Sequence, residues 1–438
     1  MQFFLLVVIF VLILWTVKDP FVGLLGLLML NILRPGEIYP LFAVLHVERM
    51  AAIVVLISLL AHERRVATPK ITKAVLFFWG TMFAAIPLAF WIGQSISTTI
   101  EFGQIVVYHL LIVTLVNTEE RFKKFLVTFA ILNVWLAGSS LYLYMTGSFV
   151  YTMNIERATG LTSAGGDPNT LALTLVSGLP LVILLLTRDA SKLVKLIGLG
   201  AAAVSILTVI NTGSRTNFFT LLLLALGFVA TRKKWFLYVP IIVVAMAIAW
   251  TFIPQQYKAR YETVNNLEKD ESYQNRLLAW KAGWGMFKDN PLTGMGPGNF
   301  EFASGTTYWP GEGRKHWLNA HSLPLKALGE LGSLGTFAFI YMLVTLFKLN
   351  GRLRRELRDS AMPTMLRYFP VACNFALFSL LIAGYSSHNL YRSTWFMLAS
   401  MSGALQLLAQ AQPAQVIEAK GEPATSGIEE LESRAGTA

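Results

Sequence analysis

The sequence predicts an all-α fold, a polytopic transmembrane helical bundle of about 12 spans with one long outer loop that contains short helices. Three observations predict it. Apolar runs of roughly 20 residues, the length a helix needs to cross hydrocarbon, recur along most of the chain. Charged residues make up 14% of the 438, where a soluble domain carries about 25%. The chain is 55% hydrophobic, and its mean hydropathy is +0.55. Within hydrocarbon every backbone polar group must be paired, and these runs are too long for barrel strands, so helices are the remaining solution.

The apolar segments fall near 3–17, 20–33, 49–62, 71–92, 98–116, 122–146, 169–187, 193–210, 216–231, 235–252, 321–347, 365–384 and 394–411. Lys18, Asp19 and Pro20 separate the first two, which form either a short hairpin or one broken span and give a total of 12 or 13. Orientation follows the basic loops. Arg64, Arg65, Lys70 and Lys73 share one loop; Arg121, Lys123 and Lys124 share another. Arg188, Lys192 and Lys195 come next, followed by Arg232, Lys233 and Lys234, and then Lys348, Arg352, Arg354, Arg355 and Arg358. These are alternate loops and are expected on the cytoplasmic side. The intervening loops hold only single basic residues such as Arg157 and Arg215. Residues 253–320 are the exception, a long polar insertion that parity places outside, and a loop of that length is usually functional. The organisation is therefore 1–252 N-terminal spans, 253–320 outer loop, 321–411 C-terminal spans and 412–438 a disordered cytoplasmic tail rich in Ala, Glu, Gly, Pro and Ser.

Composition also excludes classes. A net charge of +11 in a soluble protein would suggest nucleic acid, but here the basic residues serve topology and no nucleic-acid partner is expected. The one cysteine, Cys373, rules out an internal disulfide and a cysteine metal site. The start, Met1-Gln2-Phe3-Phe4, lacks a basic region and a small-residue cleavage site, and reads as a retained membrane segment. No zinc spacing and no serine elbow occurs. Glu268, Asp270 and Glu271 form the one outer acidic cluster and read as a solvated turn, so no metal and no cofactor is expected.

Candidate chemistry gathers on the outer face. Asn211-Thr212-Gly213-Ser214-Arg215-Thr216-Asn217 opens a helix, with Thr212 or Ser214 available as N-cap. Its positive end beside Arg215 suits an anion, while a headgroup-snorkelling arginine is the plain alternative. Arg276, Trp280, Trp284 and Phe287 recur at helical spacing, which describes an amphipathic helix on the bilayer surface with Arg276 in its first turn. Asn290-Pro291 ends it, and Gly294-Met295-Gly296-Pro297-Gly298-Asn299-Phe300 reads as tight turns and not as a nucleotide loop. His316-Trp317-Leu318-Asn319-Ala320-His321-Ser322 leads into the next long helix. His321 is expected in its first turn, where the helix end favours a neutral imidazole able to accept a proton; a simple polar cap is the alternative. His316 and His388 are weaker rivals. Asp167 and Asn169 in Gly166-Asp167-Pro168-Asn169 are candidate caps that are also placed to contact a polar ligand, with Arg157 just upstream. Glu101, His109 and Asn374 are the midplane polar residues and are expected to stabilise helix packing.

Three stretches together resemble the O-antigen ligase and polymerase superfamily of bacterial membrane glycosyltransferases: Thr212-Gly213-Ser214-Arg215; Asn275-Arg276-Leu277 through Trp280 with Asn290-Pro291-Leu292-Thr293-Gly294; and Ala320-His321-Ser322 through Leu328-Gly329-Glu330-Leu331-Gly332. The resemblance covers roughly residues 160–345 and favours a 12-span count. It implies metal-independent transfer of a glycan from undecaprenyl pyrophosphate to an acceptor hydroxyl, at the periplasmic face of the bacterial inner membrane. It also implies His321 as catalytic base and Arg215 and Arg276 as the pyrophosphate-binding arginines. Asp167, Asn169 and Arg157 would support them. Leu318-Asn319-Ala320 stands where the family often has an aromatic residue or a second histidine. A lipid A core acceptor would make the chain a ligase; a glycan acceptor, a polymerase; a Ser or Thr acceptor, a protein O-oligosaccharyltransferase. Basic residues Lys258, Arg260, Lys281, Lys288, Arg314 and Lys315 favour the phosphorylated core and would equally suit membrane lipids. The reading from another class is a lipid-linked sugar transporter or flippase, which would place its polar residues near the midplane.

Overall fold

A computed structural model of the chain describes residues 2–62, 66–152, 155–162, 166–231, 236, 240, 271–311, 315, 317–387 and 389–419. Several expectations lie outside these residues. They are Arg64 and Arg65, the basic run 232–234, nearly all of the apolar segment 235–252, the loop residues Lys258, Arg260, Glu268, Asp270, Arg314 and His316, His388, and the tail beyond 419.

The described chain is helical apart from one two-stranded ribbon. In order the helices used below are α1 (Gln2–Lys18), α2 (Pro20–Leu33), α3 (Val47–Ala61), α4 (Lys70–Ala85), α5 (Ile92–Leu115), α6 (Glu119–Met145), α7 (Pro168–Ile183), α8 (Lys192–Asn211), α9 (Arg215–Ala230), α10 (Glu271–Asp289), α11 (Phe300–Thr306), α12 (Leu323–Glu356), α13 (Thr364–Gly384) and α14 (Ser393–Ala419). Strands β1 (Val150–Thr152) and β2 (Ile155–Arg157) pair antiparallel with Val150 opposite Arg157. Among the described residues seven helical stretches are long and apolar enough to cross a membrane, and 9–18, 20–33 and 215–230 are shorter apolar helices. Their outward faces carry large apolar side chains, such as Leu193, Leu196 and Leu199 at 59–67% exposure along α8. Such a stripe suits hydrocarbon and would be penalised in water.

The first 33 residues form a hairpin. Asp19 accepts a hydrogen bond from Phe21 N–H and caps α2, and Pro20 takes the first helical position, where its missing N–H costs nothing. Thr16 faces Gly23, and Ile9 and Leu30 pack in one cluster, so α1 and α2 run back along each other. The single broken unit that the family resemblance favoured is thereby replaced by two helices. α14 continues through Ala419, past the expected end at 411.

The core between α4, α5, α12 and α14 is aromatic. Phe78, Phe102, Phe339, Trp395 and Phe396 are all buried. Phe102 meets Phe396 edge-on at 4.8 Å, and Phe339 meets Trp395 edge-on at 5.5 Å. Quadrupole-favoured contacts of this kind add to the area they bury. His109 is buried and bonds the hydroxyls of Thr72 on α4 and Ser400 on α14, so it ties helices together as expected. Glu101 is exposed and accepts from Ser97, so the two do not share an environment. Asn374 accepts from Asn350, which accepts from Ser402.

The described basic loops, around Arg121, Arg188 and Arg358, gather at one end of the bundle. There Arg121 pairs with Asp19 at 2.8 Å, and Asp189 accepts from Thr364 N–H at 2.6 Å. The candidate residues lie at the other end, where α7, α9, α12 and α14 begin.

One helix is broken there on purpose. Within α12, Gly332 takes φ 60°, ψ −158°, outside helical space. The glycine run 291–298 fills the gap with backbone. Met295 N–H donates to Gly329 O and Gly296 N–H to Glu330 O, each at 2.8 Å. On the far side of the break Ser333 N–H donates to Pro291 O at 2.8 Å and Leu334 N–H to Leu292 O at 3.1 Å. Every group freed by the break that these bonds reach is thus satisfied, the condition for irregular backbone at membrane depth. The turns need glycine at two positions. A Cβ on Gly294 (φ +63°) would lie 2.5 Å from the carbonyl carbon of Glu330, and one on Gly332 would lie 2.4 Å from that of Leu292. The reading of the glycine run as turns is therefore given a specific task. We expect Gly332→Ala and Gly294→Ala each to lower the thermal stability of detergent-purified protein by about 1–3 kcal/mol. Gly351→Ala, whose Cβ would meet nothing within 4 Å, should be neutral or stabilising in the same melting experiment.

Candidate active site

The backbone at the site end is locked before any chemistry is added. Glu330 on α12 is 1% exposed. Its carboxylate accepts from Gly298 N–H (3.0 Å), Phe300 N–H (3.1 Å) and the Tyr391 hydroxyl (2.7 Å), and Lys326 Nζ lies 3.6 Å away. One buried carboxylate therefore joins the glycine run, α11 and the segment before α14. Asn299 completes the clasp by donating to Trp91 O, Ser95 Oγ and Met295 O. Phe90 N–H donates to Met295 O at 2.8 Å, which fixes the run against the start of α5.

The strand of chain before His321 is held from below. Ser304 Oγ donates to Leu318 O at 3.0 Å and accepts from Leu318 N–H at 3.2 Å, and Asn319 donates to Glu301. Ala320 is fully buried. His321 then takes φ +43°, an uncommon conformation for a residue with a Cβ that neighbours must impose. Ser322 follows as N-cap and accepts from Leu325 N–H. His321 therefore lies outside the helix, two residues before its first turn, and not within that turn as expected. The expected low basicity holds, but its leading cause differs. Burial acts first in lowering the imidazole below the usual 6.5; Arg276 and Lys326 lower it further, and Asp167 opposes them.

Those same interactions show which candidates share a neighbourhood. Arg276 and Asp167 both act electrostatically on His321. Asp167 is the N-cap of α7 and accepts from Thr170 N–H at 2.8 Å. Arg276 lies in the second turn of α10, one turn later than expected, and is half-buried. The face that α10 packs on the protein is separate from the row Arg276, Trp280, Trp284 and Phe287, which the sequence reading lays on the bilayer surface. Ala279, Ala282 and Met286 are buried against Met295, Phe300 and Ala303, while Trp284 is 49% exposed. Small residues win because the helix packs closely on α11 and α12, and a Cβ on Gly283 would already touch Phe300 at 2.9 Å.

Arg215 is the first residue of α9 and is half-buried. Ser214 occupies the cap position but makes no cap bond; its hydroxyl accepts from Asn217 Nδ2 at 3.0 Å. The next residue, Thr216, hydrogen-bonds Ser386 at 2.8 Å, and Trp280, one turn after Arg276, meets Tyr385 at 5.7 Å. Arg215 and Arg276 thus flank the same short segment after α13. Arg157 and Asn169 bind each other at 3.0 Å, and Arg157 Nε donates to Thr212 O at 2.7 Å. With Asn217 donating to Asn169 O at 3.1 Å, these residues brace the ribbon and α7 against the start of α9.

Residues without an assigned role in the sequence reading complete the surroundings: Glu330, Lys326, Tyr391, Arg392 and Arg34. A carboxylate between two glycines in an apolar run, Gly329-Glu330-Leu331-Gly332, was a usable signal. So was Arg392, a basic residue in a loop that the charge rule otherwise keeps clear. Chemically, the site offers one half-buried, weakly basic imidazole, guanidinium groups, and the positive ends of several helices. That set can take a proton from a hydroxyl and hold a departing anion. Glu330→Gln should lower thermal stability by about 1–3 kcal/mol, because an amide cannot accept from all three donors, and Tyr391→Phe should cost about 1 kcal/mol; melting in detergent measures both.

No curated protein gives a significant match to the chain. Residues 200–340, which include Arg215, Arg276, Glu330 and His321, are similar to the family described as O-Antigen ligase.

Proposed function

We propose that the chain is an O-antigen ligase, which transfers a glycan from undecaprenyl pyrophosphate to a hydroxyl of the lipid A core. The observation that carries the reading is the placement of His321, a half-buried imidazole on left-handed backbone, in the field of Arg276 and Asp167 at the end where several helices begin. The family match over the same residues adds the reaction class. The charge rule assigns this end to the periplasmic face of the inner membrane. Nucleotide sugars are not supplied there, so the donor must arrive already activated and lipid-linked.

In this reading the acceptor hydroxyl gives its proton to the His321 imidazole as its oxygen attacks the anomeric carbon. The new C–O bond forms as the bond to the pyrophosphate oxygen breaks, and undecaprenyl pyrophosphate leaves. Arg215 and Arg276 hold the charge that builds on it. One displacement inverts the anomeric centre. Arg276 serves twice, because its charge also disfavours the imidazolium in the resting state. Asp167 offsets this and favours the imidazolium once the proton has moved.

A polymerase of the same superfamily uses the same donor and base and differs in its acceptor. The ligase reading is preferred because exposed Lys281 and Lys288 lie on the same helix as Arg276, α10, and suit a phosphorylated core. A protein O-oligosaccharyltransferase differs in the same way. A transporter would use midplane groups, and His109 and Asn374 are instead engaged between helices.

The test is transfer by purified protein in EDTA, with undecaprenyl pyrophosphate-linked glycan and lipid A core. Wild type should transfer; His321→Ala should lose about 10²–10⁴-fold in rate, and Arg215→Gln and Arg276→Gln about 10²-fold or more each. Chain growth without labelled core would favour the polymerase, and no transfer by folded protein would sink the enzyme reading. A second expectation concerns pH. His321 acts as a base only when neutral, and its pKa is lowered, so kcat/KM should stay flat as pH falls through 6.5 and decline only below it. Asp167→Asn keeps an equally good cap but removes the charge that raises the pKa. The acid limb should therefore move to still lower pH, and a shift upward would contradict the assigned base.

A further inference from the structure

Three aromatic rings stand together on the approach to His321. Trp91 directly precedes α5, Phe302 lies on α11, and Trp317 comes four residues before His321. Phe302 meets Trp91 edge-on at 4.7 Å and Trp317 edge-on at 5.0 Å, so one phenyl ring holds both indoles. The indoles nevertheless stay open, Trp91 at 50% exposure and Trp317 at 58%. Trp317 lies with one face on Gly305. A Cβ added there would stand 3.1–3.2 Å from Cγ, Cδ1 and Cδ2 alike, a point over the ring and not beside it. Its opposite face is the one presented outward.

The platform is in register with the proposed base. α11 grips the strand that carries Trp317 at each residue. Phe302 and Gly305 hold Trp317, Ser304 bonds both Leu318 N–H and Leu318 O, and Glu301 accepts from Asn319. That strand runs on into His321, and four residues of chain reach at most about 14 Å. The open indole is therefore within the length of a short oligosaccharide from the imidazole.

Packing alone does not account for an indole laid out in this way. Trp79 and Trp395 donate their N–H groups within the protein, to Thr99 O at 3.0 Å and Asn389 O at 2.9 Å. The N–H groups of Trp91 and Trp317 have no partner among the described residues. A ring fixed on one face and open on the other suits a pyranose. The sugar's C–H hydrogens carry partial positive charge and meet the negative π face, its apolar side leaves water, and the indole N–H can donate to a hydroxyl at its rim. We propose that Trp317, with Trp91 beside it across Phe302, is a sugar-binding subsite that stacks a pyranose ring close to the reacting bond. This rests on the transfer reading above and adds a subsite to it. The pyranose belongs either to the donor's glycan or to the acceptor's core; the stacking chemistry is the same.

The experiment uses full-length protein in detergent, which removes any contribution of a bilayer. Binding is measured on a His321→Ala background, so no turnover occurs. The probes are the undecaprenyl pyrophosphate-linked glycan, lipid A core, and each saccharide freed from its lipid. Trp317→Ala should raise the Kd of one saccharide about tenfold or more, in both its lipid-linked and its free form. Weaker binding of the donor glycan assigns the stack to the donor; weaker binding of the core saccharide assigns it to the acceptor. Trp317→Leu keeps the apolar bulk that a bilayer anchor needs but has no π face, and should weaken the same ligand as alanine does. Trp317→Phe keeps a ring and should weaken it by a smaller factor; it carries the test should the other variants not fold. Trp91→Ala should weaken the same ligand less than Trp317→Ala. In otherwise wild-type enzyme that ligand's KM should rise more than kcat falls, which a role in packing alone would not produce. Unchanged Kd values for every probe in folded variants overturn the proposal and leave the two indoles as anchors at the bilayer surface. Trp317-dependent binding of a free saccharide without any transfer by wild type would keep the subsite and remove the glycosyltransferase reading; transfer with Trp317-independent binding would do the reverse.

Discussion

The site depends on how a membrane helix is allowed to break. Hydrocarbon offers no water to unpaired amides, so α12 can leave helical geometry at Gly332 only because the glycine run brings its own backbone to the same place. Pro291, Leu292, Met295 and Gly296 supply what the interrupted helix lacks. The break frees the short stretch Leu323–Leu331 from the axis of the following span. His321 and its cap Ser322 stand at the start of that stretch.

Glu330 makes the arrangement single-valued. A buried carboxylate is costly unless fully hydrogen-bonded, and this one reaches three donors from three parts of the chain. It joins the loop, the broken helix and Tyr391, and through Tyr391 it fixes the neighbouring Arg392. The left-handed backbone of His321 belongs to the same design: Ser304, Glu301 and the buried Ala320 fix the approach, and Ser322 fixes the exit. An imidazole held this way is positioned before substrate arrives.

Electrostatically the site end is positive by construction. Spans that run from this end place their N-termini there, at Pro168, Arg215, Leu323 and Ser393. Arg276, Arg392, Arg34 and Lys326 add to that field, and Asp167 is the acidic group that both His321 and Arg392 sense. A lipid-linked pyrophosphate is the kind of ligand such a field would retain, and a neutral imidazole is the protonation state it favours.

Hydropathy and charge by themselves determined the helical membrane character and the gathering of basic loops at one end, because both follow from local composition against the bilayer. Local signals also marked the cap at Asp167, the turns at Gly294–Gly298 and the three residues proposed for catalysis. Only the tertiary structure decided that residues 1–33 are two helices, since Lys18-Asp19-Pro20 suits a kink or a turn equally until Thr16 meets Gly23. Only it placed His321 outside its helix, because the left-handed backbone is imposed by Ser304 and Glu301, whose contacts span the loop. Glu330 and Arg392 were visible as charges out of place, but their roles depend on partners distant in sequence: Gly298, Phe300 and Tyr391 for the first, Thr170 and Thr174 for the second. Solvent and bilayer act on each segment alone, so their imprint is local and legible; a site is a set of long-range contacts, and those exist only once the chain is packed.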